Sequence, residues 1–207
     1  MRAPRSARWM NDKEWEIVTG VFNSSNLPFR QRIFVTDGLG AGNAPFTIPT
    51  SLISSLPIVL SGALGGGVLG GPAGAALGAA LTTGATFLAS VVNVAYIVNV
   101  GPAAYPDMTA TDDLKNLLVH ETAHVWQGKS STFALSYVYG SAISQCAAMI
   151  GGGHRNGAYA YTPLRSWGSY NPEQQASLID DWYSAGERGE GDLWPYIRDY
   201  VRHGKVS

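Results

Sequence analysis

Apolar residues recur at helical spacing close to the start of the chain. Trp15, Val18 and Phe22 fall on one helical face, and Asn11 stands where a capping residue is expected. This pattern predicts a short amphipathic helix from about Asn11 to Phe22.

Two short runs rich in β-branched and aromatic residues predict strands. Residues 32–36 end at Asp37-Gly38, and residues 95–100 end at Gly101-Pro102, both of which are typical turn sequences. We therefore expect a small sheet in a mixed α+β fold.

Helical spacing returns after Pro106 and predicts a long helix from Thr109 to Gln127. Thr109 or Thr111 can cap this helix, acidic residues occupy its first turn, and Gly128 is the expected stop. Its predicted buried stripe consists of Leu114, Leu117, Leu118 and Val125.

A further helix is predicted to begin after Asn171 and to stop at Gly186. Asn171 is a favourable cap, and Pro172 suits the first helical position because its missing N–H would have no partner there. Apolar residues continue through Trp182.

The two predicted strands bracket an apolar segment without charge. Residues 38–106 form a run of 69 positions that contains no Asp, Glu, Lys, Arg or His. Within this run, residues 52–92 form two Gly- and Ala-rich arms of bilayer-spanning length around a Gly-Pro turn, which predicts a helical hairpin insertion. Membrane contact through 52–92 is one interpretation. A hairpin folded against its own domain is the other, because no Lys, Arg or Trp anchors flank the arms.

Composition narrows the class of protein. The chain has 207 residues, a formal net charge of −1 and 45% hydrophobic residues, so we expect one folded domain over 1–207 and no nucleic-acid partner. The basic start at Arg2, Arg5 and Arg8 is followed by polar residues rather than an apolar stretch, which argues against a Sec signal peptide. The expectation is a protein that is cytoplasmic until a non-Sec route exports it, with membrane association through 52–92 left open.

The chemistry is concentrated in the sequence His120-Glu121-Thr122-Ala123-His124. Residues four apart lie on one helical face, so both imidazoles can reach one Zn²⁺ ion, and Glu121 can serve as general base toward a zinc-bound water. The alternative is a pair of core histidines that never meets a metal.

A catalytic zinc site usually has three protein ligands. The metzincin pattern is excluded, because Gln127 and Ser130 stand where Gly and His would be required. Glu173, in the first turn of the later helix, is the preferred third ligand, ahead of His154 and the Asp180/Asp181 pair. Transition-state stabilisation needs a further donor, for which Tyr161 is chosen from among Tyr159, Tyr161, His154 and Arg165.

The chain resembles a bacterial family of zincin peptidases often described as Vgr-related and, more distantly, metallopeptidase domains of contractile injection systems. The matching sequences are His120 to Gln127 (HETAHVWQ), Tyr159-Ala160-Tyr161, Trp167, Tyr170-Asn171 and Glu173-Gln174-Gln175-Ala176. The resemblance implies a zincin-like, gluzincin-type fold and a role as, or beside, a secreted effector. Ser177 departs from the thermolysin-like pattern, which has Asp four residues after the ligand Glu, so the support of a ligand histidine is unassigned.

The sequence therefore predicts a zinc metallopeptidase acting on a protein or peptide substrate, with His120, His124 and Glu173 as metal ligands and Glu121 and Tyr161 as catalytic residues. A secretion-system component is the implied partner. The competing hypothesis is a membrane-inserting effector or scaffold protein in which the zinc site is structural or inactive.

Overall fold

A computed structural model describes residues 2–40, 43–50, 95–130 and 159–206. Contacts divide the chain into two units, Met1–Met10 with Arg30–Pro106, and Asn11–Phe29 with Asp107–Ser207. The described residues contain a small sheet and several helices, so the mixed α+β prediction is confirmed. The prediction of a single domain stays a prediction. The hairpin predicted at 52–92 and the alternative ligand His154 lie outside the described residues.

The first unit is built on a four-stranded sheet with the order β1-β2-β4-β3. Its strands are β1 (Ala7–Trp9), β2 (Ile33–Thr36), β3 (Phe46–Pro49) and β4 (Tyr96–Asn99). The β2 and β4 strands, both predicted from the sequence, pair in parallel, with Ile33 opposite Tyr96. The β1 and β3 strands add to either side as antiparallel partners, and neither was predicted.

The sequence Gly101-Pro102 ends β4 and opens α2 (Gly101–Ala104). Gly101 has a φ of +80°, and a Cβ atom there would lie 2.7 Å from the side chain of Leu39. A side chain at this position would therefore be strained in its backbone and in its packing.

The second unit contains α1 (Asp12–Phe22), α3 (Asp112–Ser130), α4 (Pro172–Ser184) and α5 (Trp194–Asp199). Asn11 and Asn171 each form a capping box at the start of a helix, α1 and α4, as their positions in the sequence indicate. The predicted stop of α4 is also confirmed, because Gly186 follows the helix with a φ of +87°.

The start of α3 agrees with the prediction, and its end does not. The Thr111 hydroxyl accepts a hydrogen bond from the Leu114 amide, so Thr111 rather than Thr109 caps the helix. Gly128 does not stop the helix, which continues to Ser130. Its φ is not positive, and the next residue, Lys129, donates hydrogen bonds to the carbonyls of Ser25 and Leu27 in the same unit. This anchor favours continuation of the last turn over a glycine stop.

Packing in the second unit joins α3 to α4 and to α1. Leu118 and Val125 are buried as predicted, whereas Leu114 and Leu117 are half-buried. Large aromatic side chains fill the remaining core: Trp126, Trp167, Trp182 and Phe22 are all at most 2% exposed. This packing fixes the position of α4 along the face of α3 that carries the two histidines.

None of the described helices combines the length and the apolar character that crossing a bilayer requires.

Candidate metal centre

The second unit brings His120, His124 and Glu173 together, although 49 positions separate the second histidine from the glutamate. Their potential ligand atoms all lie within 4.8 Å of one another. The Glu173 Oε2 atom is 3.4 Å from the Nε2 atom of His120 and 3.4 Å from the Nε2 atom of His124. The cluster therefore presents two imidazole nitrogens and a carboxylate oxygen to one point and could hold a metal ion.

Helix geometry places all three side chains. His120 and His124 are one turn apart on α3, and Glu173 follows Pro172 in the first turn of α4. Glu173 is fully buried, which is costly for a carboxylate unless cations or a metal surround it. The Nε2 atoms of His120 and His124, each 3.4 Å from the carboxylate, supply such partners.

Asp180 lies on the other side of His120. The His120 Nδ1–H group donates to the Asp180 Oδ2 atom over 2.7 Å, which turns the Nε2 atom toward Glu173. Asp180 was considered only as an alternative metal ligand, yet it contacts the opposite ring nitrogen. It also supplies the support that Ser177 could not, because position seven after Glu173 returns to the same helical face.

Gln127 performs the matching task for His124. The His124 Nδ1–H group donates to the Gln127 Oε1 atom over 2.8 Å, and Gln127 is fully buried. No role at the metal site was predicted for Gln127 from the sequence. Its position three residues after His124, on the same face of α3, is the signal that could have identified it.

The protonation of the cluster follows from its charges. Burial alone would lower the pKa of His120, but hydrogen bonds to Asp180 and Glu173 outweigh it and raise that pKa to about 10. Burial would raise the pKa of Glu173, but the two histidines hold it far below its usual range. Without a metal, the carboxylate is thus ionised, which is the form that binds cations.

Glu121 lies beside both histidines. It is 4% exposed, and its negative charge contributes to the raised pKa values of His120 and His124. The Glu121 carboxylate is thus close enough to interact electrostatically with both histidines. Its role as general base stays a prediction.

The two tyrosines near the site differ in their partners. The Tyr161 hydroxyl donates to the Asp181 Oδ2 atom over 2.7 Å, and burial together with this bond raises the pKa of the phenol. The ring centroid of Tyr159 is 5.8 Å from that of His120. Arg165 uses its backbone, rather than its side chain, to bond Tyr170 and Tyr196. The catalytic assignment of Tyr161 stays a prediction, with its hydroxyl proton directed at Asp181.

Comparisons with protein-family models, with curated proteins and with solved structures find no match to this chain. The interpretation of the site therefore rests on its residues and their geometry.

Proposed function

We propose that this protein is a zinc-dependent metallopeptidase of zincin-like fold. The observation that carries the proposal is the pair of equal distances, 3.4 Å each, from the Glu173 Oε2 atom to the Nε2 atoms of His120 and His124. Two atoms that both bind a tetrahedral zinc ion at about 2.0–2.1 Å are about 3.3 Å apart. The two distances from Glu173 to the histidines thus match those expected between zinc ligands.

The chemistry of the donor set favours zinc over other common ions. Two neutral imidazole nitrogens and one carboxylate oxygen are the ligands of many catalytic zinc sites, whereas Mg²⁺ and Ca²⁺ prefer sets made of oxygen. Three protein ligands also leave one position for water or substrate. When bound, zinc supplies Lewis acidity that polarises a substrate carbonyl and activates water.

The chain's own residues would then move the proton and hold the ligands. The Glu121 carboxylate takes a proton from the attacking water molecule as the water oxygen adds to the scissile carbonyl carbon. The same carboxyl group returns the proton to the amide nitrogen as the C–N bond breaks. Asp180 keeps the His120 ring in place throughout, because its carboxylate accepts from the Nδ1–H group.

The test combines metal content with peptide cleavage. The purified parent protein, loaded with Zn²⁺ and desalted, is expected to retain about one zinc ion per chain. His124→Ala is expected to lose that zinc. Glu121→Gln is expected to keep zinc and to lose about 10²- to 10⁴-fold in kcat on a peptide library.

The matched control is Glu190→Gln, which makes the same change at an exposed position. It is expected to retain the zinc content and the cleavage rate of the parent. Full zinc occupancy in His124→Ala would overturn the metal site. Unimpaired cleavage by Glu121→Gln would overturn the peptidase mechanism while leaving the metal site intact.

A further inference from the structure

Two buried side-chain amides connect His124 to the main-chain carbonyls of Pro172, Trp167 and Val206. Gln127 contacts His124 through its Oε1 atom, and its Nε2 atom donates to the Pro172 carbonyl over 3.0 Å and to the Gln175 Oε1 atom over 3.2 Å. Gln127 is fully buried and Gln175 is 1% exposed. Polar groups so deeply buried must be oriented by their partners, since water cannot satisfy them.

The partners fix which end of the Gln127 amide faces the histidine. A backbone carbonyl can only accept, so the Gln127 atom that faces Pro172 must be the NH₂ group. The oxygen is then left for His124, and an amide oxygen cannot donate. The His124 Nδ1 atom must therefore carry a hydrogen, which leaves the Nε2 atom, on the side of Glu173, as the atom that can bind a metal.

Gln175 is fixed by the same reasoning. Its Nε2 atom donates to the carbonyls of Trp167 and Val206 over 3.4 and 3.3 Å. Its oxygen consequently faces the NH₂ group of Gln127. The Val206 carbonyl also accepts from the Trp167 indole N–H over 3.1 Å, which ties the same carbonyl to a buried aromatic ring. Main-chain carbonyls, which can only accept hydrogen bonds, thus fix the orientation of both glutamine amides.

We propose that Gln127 and Gln175 form an amide relay that holds His124 with its Nε2 atom toward the metal. This inference rests on the proposed zinc site and adds positioning residues to it. The two ligand histidines are then held by different means, since His120 has a carboxylate behind it and His124 has a neutral amide. The relay links the order of the segment at Val206 to the geometry of the site.

The first test measures zinc affinity by competition with a chromophoric chelator. Gln127→Met preserves the approximate length of the side chain and removes both its acceptor and its donor. We expect it to weaken zinc binding about 10- to 100-fold. Gln175→Met is expected to have a smaller effect, because Gln127 keeps its bond to the Pro172 carbonyl.

The second test is a spectroscopic signature that a purely structural role would not change. In the cobalt-substituted parent, proton NMR is expected to show an exchangeable, paramagnetically shifted imidazole N–H signal from each ligand histidine. Gln127→Met is expected to lose the His124 signal to fast exchange with water, while the His120 signal persists because Asp180 still accepts it.

Asn26→Ala is the matched control. The Asn26 amide donates to the carbonyls of Phe22, Val201 and Arg202 in the same unit, so its removal lowers stability without contact to His124. It is expected to retain the zinc affinity and both N–H signals. The relay is overturned if Gln127→Met keeps the parent's zinc affinity and the His124 N–H signal. It is also overturned if Asn26→Ala weakens zinc binding as much as Gln127→Met does. A parent protein that binds neither zinc nor cobalt overturns the proposed metal site itself.

Discussion

The Asp180 carboxylate lies 2.7 Å from the Nδ1 atom of His120, and the Nε2 atom of the same ring faces Glu173. Asp180 of α4 therefore orients the His120 ring, and the other nitrogen of that ring faces Glu173 of the same helix. The seven-residue interval between Glu173 and Asp180 spans two helical turns and places both on one face. The site therefore forms only when α3 and α4 pack in the alignment that brings His120 next to both Glu173 and Asp180.

Removal of this orienting group should weaken the metal site. Asp180→Asn can still accept one hydrogen bond but lacks the charge that strengthens it, so we expect zinc affinity to fall by about tenfold or more. Asp180→Ala should cost more, because the Nδ1–H group loses its partner. Chelator competition on desalted protein measures both.

Asp181→Asn is the control for this series, since Asp181 is the adjacent acidic residue and bonds Tyr161 rather than a histidine. It should leave zinc affinity unchanged. Equal losses in Asp180→Asn and Asp181→Asn would indicate a general effect of negative charge and would contradict the orienting role.

Tyr159 and Tyr161 are expected to differ in their contribution to transition-state stabilisation. The Tyr161 hydroxyl donates to Asp181, which is not a ligand of the proposed site, whereas the Tyr159 ring centroid is 5.8 Å from that of the ligand His120. We therefore expect Tyr159→Phe to lower kcat by about 10²-fold, the usual effect of losing a donor to the developing oxyanion. Tyr161→Phe should leave kcat nearly unchanged. Steady-state kinetics on one peptide substrate compares the variants, and a larger loss in Tyr161→Phe would support the catalytic role predicted for Tyr161 from the sequence.

The cap of α4 should matter for metal binding as well as for stability. The Asn171 side chain accepts from the Gln174 amide over 2.9 Å, and the Gln174 side chain accepts from the Asn171 amide over 3.1 Å. Loss of such a cap costs about 1 kcal/mol. Because Glu173 lies in this first turn, we expect Asn171→Ala to lower both the free energy of unfolding and the zinc affinity.

The chain contains its own control for that prediction. Asn11 and Glu14 form the same capping box at the start of α1, where the two bonds are both 2.9 Å long. Asn11→Ala should lower the free energy of unfolding by a similar amount and leave zinc affinity unchanged. Denaturant unfolding of metal-free protein gives the stability, and an equal change in affinity for both variants would show that capping acts only through overall stability.

Features encoded by neighbouring residues could be predicted from the sequence. The spacing of His120 and His124, the Asn11 and Asn171 caps and the β-rich runs of β2 and β4 each depend on a few adjacent positions. Helix spacing and capping rules therefore sufficed to find them. Glu173 could also be proposed, because its place in a first turn limits where its carboxylate can lie.

Features that depend on distant partners could not be predicted. The β1 strand has three residues and β3 ends in Pro49, and both are strands only because β2 and β4 present open edges to them. The spacing of Gln127 from His124 is visible in the sequence, but the acceptors that orient its amide, Pro172 and Gln175, come from another helix. At Gly128 the local sequence predicted a helix end, but tertiary contacts of the next residue favour continuation of the helix to Ser130.

The turn after β2 provides a prediction on the pH dependence of stability in the first unit. Asp37 is 6% exposed, and its Oδ1 atom accepts from the backbone amides of Arg5 and Ser6 over 2.7 and 2.9 Å. Burial alone would raise the pKa of Asp37, but these amides, with the Arg2 guanidinium, lower it below its ordinary value. A carboxyl group with a lowered pKa in the folded state stabilises the fold above its unfolded pKa of about 3.9 and loses that contribution as pH falls through the folded value.

Asp37→Asn should therefore lower the free energy of unfolding near pH 7 by about 2 kcal/mol, and the difference from the parent should shrink below about pH 4. Denaturant unfolding from pH 7 to pH 3, with exposed Asp192→Asn as control, measures this difference, and a constant gap between parent and Asp37→Asn across that range would contradict the prediction.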